Sequence, residues 1–372
     1  MHIKKASSTI FNAFFFAGLL AISESALAGN YSYSIISDPN GNGSNTHALG
    51  INNSGKVVGF SAVSATVVNN QATGMNGLLG FVYDGASYTS VIYPGSIEPT
   101  YASNAKYVQN IAADINDSGQ IAGTFLVSSR GIAGYPGSVS SVYGFLFNSG
   151  NYTTILDPAA PSQSGSIQNF IVGLNNSGQI AGYYTNFNNG GIPESFLYSG
   201  GAYISINDPS ATNGTEVSGI NNIGEIVGQY WSTTLSGNPF MPVSQSFVYS
   251  QLTHTYTDIA PGIVATGIND NGLVIGNLGS DYGFGLVYDL NTSTYAFLNP
   301  PGSKAGGIYA TDINDNGQVV GYYFNGTGYV GFIATPTTVP TVPIPATIWL
   351  FSSALAGLGI ARKLRIFGSR AI

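Results

Sequence analysis

The chain has 372 residues, of which 7% are charged, no cysteine and a formal net charge of −7, whereas typical soluble domains are about 25% charged. The missing cysteines exclude disulfides and thiol chemistry, and a chain of this length can bury a sufficient core without them. Residues 29–345 carry four basic and 16 acidic side chains, a balance of 4 − 16 = −12, which argues against nucleic acid as a partner because phosphate binding needs clusters of Lys and Arg.

The N-terminus has the pattern of a secretory signal peptide. Lys4 and Lys5 precede an apolar run over residues 10–22, and the small-x-small sequence Ala26-Leu27-Ala28 follows. The apolar run is shorter than the ~20 residues that a membrane span requires. We therefore expect signal peptidase to remove residues 1–28 by cutting after Ala28; the alternative is an uncleaved anchor.

One motif recurs six times along the chain. It reads Gly/Asp-Ile/Leu-Asn-Asn/Asp-x-Gly and continues with a short apolar run and a further Gly. The copies begin at Gly50, Asp114, Gly173, Gly219, Gly267 and Asp312, at spacings of 64, 59, 46, 48 and 45 residues. Self-similarity near this period is typical of a propeller or a solenoid.

Each repeat is predicted to form four short strands. In the first repeat these are residues 46–52, 56–64, 78–83 and 87–93, since β-branched and aromatic residues there alternate with Asn-Gly, Asp-Gly and Ser-Gly turns. Four-stranded units repeated radially make a propeller. We therefore predict an all-β fold, a six-bladed β-propeller over residues 29–334.

The order of the motifs also predicts how the ring closes. The last repeat supplies only three strands, between Gly307 and Ala334, while an unassigned strand, residues 31–37, precedes the first repeat. Pairing the two would cover edges that are otherwise exposed. The N-terminal strand is thus predicted to complete the last blade.

A calcium loop is the one metal site that the motif suggests. Asp312, Asn314 and Asn316 match the first half of an Asp-x-Asn-x-Asn-Gly loop, but Tyr323 occupies the twelfth position, where a bidentate Glu belongs. Asn and Asp are also the residues that a tight turn requires. We interpret the motif as a turn and expect no metal and no cofactor, with calcium as the alternative.

The sequence gives less evidence for ligand binding and for catalysis than for the fold. In a propeller the longer loops share one face, and the tyrosines there could stack on sugars: Tyr93, Tyr101, Tyr107 and Tyr135. The alternative is that these rings fill strands.

No nucleophile or metalloprotease motif is present, so we expect no enzyme, although three carboxylates could converge on one face as in a glycosidase: Glu98, Glu194 and Glu216.

The C-terminus has three elements in order. A Thr/Pro linker and motif over residues 335–345 contains Val342-Pro343-Ile344-Pro345, and Ala346 completes the pentapeptide. An apolar stretch covers residues 347–361, and Arg362-Lys363-Leu364-Arg365 follows. Basic residues behind an apolar stretch favour a cytoplasmic end. Residues 346–372 are therefore predicted to form a short transmembrane helix with a basic tail, which anchors the chain in the inner membrane.

These three elements resemble the PEP-CTERM sorting signal of Gram-negative bacteria in its Val-Pro-Leu-Pro-Ala variant, and the six repeats resemble the HAF-type extracellular repeat. The first resemblance implies processing by an exosortase-type enzyme at the segment that contains Val342, Pro343, Pro345 and Ala346, with delivery to the cell surface or extracellular matrix. We therefore expect an exported structural or interaction component of the matrix. The alternative is a lectin-like, exopolysaccharide-binding propeller, and a secreted hydrolase comes third.

Overall fold

The computed structural model describes residues 31–41, 45–63, 66–68, 71–73, 75–94, 97–99, 106–128, 140–161, 167–236, 243–278, 283–304 and 306–337. The strands among them lie in one compact unit that ends at Pro336. The predicted signal peptide, sorting motif and C-terminal helix fall outside the described residues. Within the described residues, no helix is long and apolar enough to cross a membrane.

The strands follow the repeats in chain order. The first part of the chain contains β1 (Tyr31–Ile36), β2 (Thr46–Ile51), β3 (Val57–Val63), β4 (Thr66–Val68), β5 (Gln71–Thr73), β6 (Met75–Tyr83), β7 (Tyr88–Val91), β8 (Ile97–Pro99), β9 (Lys106–Ile115), β10 (Ile121–Ser128), β11 (Ser140–Asn148) and β12 (Asn151–Ile155). The remainder contains β13 (Asn169–Leu174), β14 (Ile180–Asn186), β15 (Ile192–Ser199), β16 (Ala202–Ser205), β17 (Thr215–Ile220), β18 (Glu225–Ser232), β19 (Val243–Ser250), β20 (Thr255–Asp258), β21 (Ile263–Ile268), β22 (Leu273–Leu278), β23 (Phe284–Asp289), β24 (Thr294–Phe297), β25 (Ile308–Ile313), β26 (Val319–Phe324) and β27 (Tyr329–Pro336). A 3₁₀ turn (Phe187–Asn189) follows β14, and a single helical turn, α1 (Thr233–Ser236), follows β18.

The fold is a β-propeller, but its sheets do not divide into six separate blades. Four sheets are separate and four-stranded: β13–β16, β17–β20, β21–β24 and β25–β27 with β1. The first two repeats share one nine-stranded sheet. The structure therefore separates only four of the six predicted blades. The reason is that β6 begins three residues earlier than predicted, so that residues 75–78 pair in parallel with residues 106–109 of β9.

The predicted closure of the ring is confirmed. β1 pairs antiparallel with β27 along its whole length, from Tyr31 opposite Pro336 to Ile36 opposite Gly331. The hydroxyl of Tyr33 accepts a hydrogen bond from the backbone N–H of Asn299 at 2.8 Å. The N-terminal strand thereby covers the edge of β27 that would otherwise be open to other chains.

The core consists of layers between neighbouring sheets, and one aromatic position in each repeat dominates it. The third strand of five repeats carries a fully buried Phe: Phe81, Phe145, Phe196, Phe247 and Phe332. The apolar run that follows each turn places a Gly beside that ring. A Cβ added to Gly182 would come within 2.5 Å of Phe196 Cζ. The backbone carbonyl of Phe170 lies equally close to that Cβ position, so the facing strand and the phenyl ring together require the second Gly of the motif in this repeat.

Candidate functional site at the propeller axis

The six copies of the repeated motif form the turns between the first and second strands of the repeats. In the first copy, the side-chain oxygen of Asn52 accepts hydrogen bonds from the backbone N–H groups of Ser54 and Lys56 at 3.1 and 3.0 Å. Gly55 has a φ of +80°, a conformation that costs other residues energy. The prediction that these residues form tight turns is confirmed.

The first asparagines of the six turns form a closed ring of hydrogen bonds. Each Nδ2 group donates to the backbone carbonyl of the equivalent Asn in the next repeat at 3.0–3.1 Å. The ring runs through Asn52, Asn116, Asn175, Asn221, Asn269 and Asn314, and Asn314 donates back to Asn52. These side chains are buried, and the ring satisfies polar groups that would otherwise be costly to bury.

A second ring lies directly beside the first. The next residue of each turn donates its backbone N–H to the side-chain oxygen of its counterpart in the neighbouring repeat at 2.7–2.9 Å. The members are Asn53, Asp117, Asn176, Asn222, Asp270 and Asp315. Amide groups bond to the carboxylates, for example from Asn176 Nδ2 to Asp117 Oδ2 at 2.7 Å. Hydrogen-bond donors, including neutral amides, thus stabilise the three carboxylates.

Two further aspartates lie partly buried at the axis. Asp114 accepts from the N–H groups of Ile115 and Leu174, both at 2.7 Å, and Asp312 accepts from those of Ile313 and Ile51, both at 2.8 Å. In each pair the second donor belongs to the next repeat. Burial raises the pKa of both carboxyls, and the negative charge of Asp312 raises the pKa of Asp114 further.

Space for these carboxyls comes from the other copies of the motif, which begin with Gly. A Cβ added to Gly50 would lie 2.8 Å from Asp114 Oδ1. The turn residues line a cavity of about 50 Å³. That volume accommodates a few waters or a small ion, but not a sugar.

The three candidate calcium ligands belong to this network. Asp312 is one of the two partly buried aspartates, and Asn314 is a member of the first ring. Asn316 donates from Nδ2 to the backbone carbonyl of Asn53 at 2.9 Å. Within the described residues, no three His, Asp or Glu side chains are grouped to hold a metal ion. The chemistry that these residues perform in the structure is hydrogen bonding between repeats.

Part of the opposite end of the axis is aromatic. The inner strands begin there, and about five residues at ~3.3 Å each separate this end from the turns. Where the last repeat meets the first, we define a seam cluster by His47, Phe60, Tyr309, Tyr322 and Tyr329. His47 stacks on Phe60 with ring centroids 4.5 Å apart, and Tyr309 stacks on Tyr322 at 5.0 Å. Burial lowers the pKa of His47 to about 4, so its imidazole is neutral at pH 7.

The third and fourth repeats place a carboxyl group at the same level. Glu216 lies on β17 and accepts a hydrogen bond from the hydroxyl of Tyr183, which stacks on Phe170 at 5.0 Å. Burial raises the pKa of Glu216. Glu194 has different partners, the Tyr184 hydroxyl at 2.7 Å and Asn186 Nδ2 at 2.6 Å. The side chain of Glu98 lies outside the described residues, and the structure thus gives Glu194 and Glu216 separate surroundings.

Of the four tyrosines predicted to bind ligand, the structure describes the side chain of one. Tyr93 is half-buried and stacks on Phe125 at 3.8 Å, and its hydroxyl lies 2.9 Å from Thr154 Oγ1. It therefore packs between the first two repeats. Tyr107 pairs through its backbone in β9. The side chain of Tyr107, and the whole of Tyr101 and Tyr135, lie outside the described residues, as do Ala28, Val342, Pro343, Pro345 and Ala346.

Both hydrogen-bonded rings and the seam cluster were missed from the sequence. The recurrence of Asn at one motif position was the available signal for the first ring, because a turn alone would tolerate Asp, Ser or Gly there. No comparable signal existed for the seam cluster. Its members come from β2, β3, β25, β26 and β27, which are distant in the chain.

No protein-family model matches the chain, and no curated protein matches it either. Similar solved structures include a chain of the Mitotic Checkpoint Complex, with 11% identity over 82% of this chain and 94% of that chain and a TM-score of 0.41. The β-propeller domain of the Trilobed protease from Pyrococcus furiosus has 10% identity over 74% and 86% of the two chains and a TM-score of 0.34. Trypanosoma rangeli sialidase in complex with sialic acid has 12% identity over 89% and 60% and a TM-score of 0.37. Identities this low say nothing about a ligand or an activity of this chain.

Proposed function

We propose that the chain is an exported structural and interaction component of the extracellular matrix of a Gram-negative bacterium, and that it acts by binding rather than by catalysis. The observation that carries the proposal is the axial network. The polar side chains of all six turns hold the repeats together. The result is a closed scaffold with few charges, which can present the opposite face to a partner.

The same hydrogen-bond network supports a propeller of six blades. Both rings have six members, one from each repeat. β2, β3, β6 and β7 repeat the order of the separate blades within the nine-stranded sheet, and so do β9, β10, β11 and β12. The nine-stranded sheet is therefore proposed to be two blades joined through β6 and β9, in a ring of six.

Export and sorting are proposed from the termini. Signal peptidase removes residues 1–28, and an exosortase-type enzyme processes the chain near Ala346 while the hydrophobic tail holds it in the inner membrane. The lack of cysteine and the scarcity of charge fit an extracellular protein that depends on neither disulfides nor ionic partners. Intact-mass analysis of the protein recovered from the cell surface tests this step. A mass that includes residues 362–365 would show a permanent anchor.

The matrix role is tested with protein purified after export of the full-length chain. We expect it to co-sediment with exopolymer isolated from the producing strain, and we expect a deletion strain to form a less cohesive matrix. Restoring the gene is the control for the second measurement. Failure of the wild-type protein to associate with exopolymer would contradict the proposal.

A lectin-like propeller is the second candidate, and the seam cluster favours it. Half-exposed aromatic rings with polar tips are suited to sugars, which have both apolar faces and hydroxyl groups. The axial cavity is too small for such a ligand. A sugar would therefore bind at the aromatic end.

A further inference from the structure

The seam cluster is a continuous group of rings that remain partly exposed. Beyond its two stacked pairs, His47 lies 4.4 Å from Tyr322 and 5.1 Å from Tyr329, measured between ring centroids. Tyr322 and Tyr329 meet edge to face at 5.5 Å. Each of the five residues keeps some accessible surface, so the cluster is partly open to solvent at the seam between the last and first repeats.

The hydroxyl groups of this cluster differ from those of neighbouring tyrosines. Tyr33 and Tyr323 bond to the backbone of Asn299 and Pro301 at 2.8 and 3.0 Å. In the described part of the chain, no hydrogen bond joins the hydroxyl of Tyr309, Tyr322 or Tyr329 to another residue. A half-buried hydroxyl without a protein partner is costly unless water or a ligand satisfies it.

The rings of Tyr309 and Tyr329 both lie against that of Tyr322, with centroids 5.0 and 5.5 Å away. Burial, followed by the electrostatic effects of Tyr309 and Tyr329, raises the pKa of Tyr322 to about 12. The hydroxyl of Tyr322 keeps some accessible surface. A ligand that approached this cluster would meet aromatic faces together with several available polar groups.

We propose that the seam cluster binds a neutral polysaccharide, whose sugar rings stack on the tyrosines and whose hydroxyls bond to the tyrosine hydroxyls. This inference rests on the proposed matrix role and gives it a binding site and a ligand class. The five members of the cluster are uncharged at pH 7. The acidic excess of residues 29–345 disfavours a polyanion.

One cation lies near the cluster and defines the competing ligand. Phe324 contacts Tyr329 at 5.7 Å, and the turn after it contains Gly326, at which an added Cβ would lie 3.2 Å from Lys304 Nζ. If Lys304 were the main determinant, an acidic polysaccharide would be preferred. The experiment therefore compares neutral and acidic polymers.

Affinity electrophoresis tests the proposal with the exported protein and three soluble polymers: laminarin and a galactomannan, which are neutral, and alginate, which is a polyuronate. We expect retardation by at least one neutral polymer. Replacing Tyr322 and Tyr329 together by Phe should weaken that binding about tenfold or more, the effect of losing roughly 1.4 kcal/mol from two hydrogen bonds. The melting temperature should not change, because neither hydroxyl has a protein partner.

Tyr88→Phe is the matched control. Its hydroxyl accepts a hydrogen bond from the backbone N–H of Ser37 at 3.0 Å, so the substitution should lower stability and leave polymer binding intact. The site is wrong if the double variant binds as the wild type does, if neither neutral polymer binds, or if alginate binds and Lys304→Gln abolishes that binding. None of these outcomes contradicts the matrix role if the wild-type protein still associates with isolated exopolymer. The matrix role itself is contradicted if the wild-type protein does not associate with that exopolymer.

Discussion

The two ends of the axis are built from the same six inner strands, yet they differ in how their residues repeat. At the turn end, every repeat contributes an Asn to the first ring. At the opposite end, the equivalent positions hold six different residues: His47, Ile111, Phe170, Glu216, Val264 and Tyr309. The uniform end joins the repeats to one another, and the varied end contains the seam cluster at which we propose that a ligand binds.

The physical reason lies in the two kinds of interaction. A cyclic hydrogen-bond network requires a donor and an acceptor at every position, and one missing member leaves two neighbours unsatisfied. Aromatic packing between β2, β3 and β26 has no such requirement, because rings tolerate several arrangements and contribute through their area. The turn end should therefore be intolerant of substitution, and the aromatic end tolerant.

The largest effect is expected from breaking the first ring. Asn175→Ala removes the acceptor for the N–H groups of Ser177 and Gln179 and the donor to the carbonyl of Asn221. We expect a loss of about 3 kcal/mol in the free energy of unfolding, because several buried polar groups lose their partners. Urea denaturation measures it. The control is Asn188→Ala, at an exposed residue whose side chain makes no comparable bonds; equal losses in the two variants would contradict a special role for the ring.

The two aspartates at the axis, Asp114 and Asp312, should make stability fall as the pH rises. Burial raises the folded-state pKa of Asp114 and of Asp312, the latter to about 7, above the unfolded value of 3.8. The contribution of Asp312 is fully present below about pH 4 and is lost as the pH rises through about 7, and that of Asp114 is likewise lost as the pH rises through its own raised pKa. Asp117, Asp270 and Asp315 add negative charge nearby, and the residues that line the cavity include no cationic side chain. We expect a lower free energy of unfolding at pH 8.5 than at pH 5.

Asp312→Gly sharpens that measurement. It installs the residue found at the same position in four other copies of the motif, and the pH dependence between 6 and 8 should flatten. Asp84→Asn is the control. Asp84 is exposed, and the N–H groups of Ser87 and Ala86 lower its pKa, so its contribution to stability increases with pH where that of Asp312 decreases. An unchanged slope in Asp312→Gly would assign the pH dependence to other groups.

A smaller loss is expected at the turn glycines. Gly119 has a φ of +81°, and an added Cβ would meet nothing within 4 Å. Gly119→Ala should therefore cost only the backbone strain, about 1 to 2 kcal/mol. Thermal unfolding measures it, with Gly85→Ala, at an exposed hairpin with a φ of +96°, as the comparison. If Gly119→Ala left the thermal stability unchanged, the turn could change conformation without disturbing the ring.

The smallest effect is expected at the aromatic end. Tyr322→Phe keeps the ring that stacks on Tyr309 and removes a hydroxyl that bonds to no described residue. We expect a change within about 0.5 kcal/mol. Calorimetry of this variant beside Tyr323→Phe, which loses the bond to the Pro301 carbonyl, separates the two cases. A large loss in Tyr322→Phe would show that the aromatic end is as restricted as the turn end.

The sequence by itself determined the local elements, because the information for them is local. The alternation of apolar residues and the Asn-x-Gly turns placed β2 within one residue of its observed end, and the order of motifs predicted that β1 would close the last sheet. These features depend on the conformational preferences of short segments and on the need to cover a strand edge.

Only the tertiary structure decided which groups meet. The ring from Asn52 to Asn314 joins residues 45 to 64 positions apart between successive repeats, and its closing bond spans 262. The joining of β6 to β9 and the electrostatic effect of Asp312 on Asp114 likewise depend on how the repeats pack. No local propensity encodes such contacts, because each exists only when separate strands converge on one axis. Burial at that axis then sets the pKa of an acid. The same packing decides whether a tyrosine hydroxyl is available to a ligand.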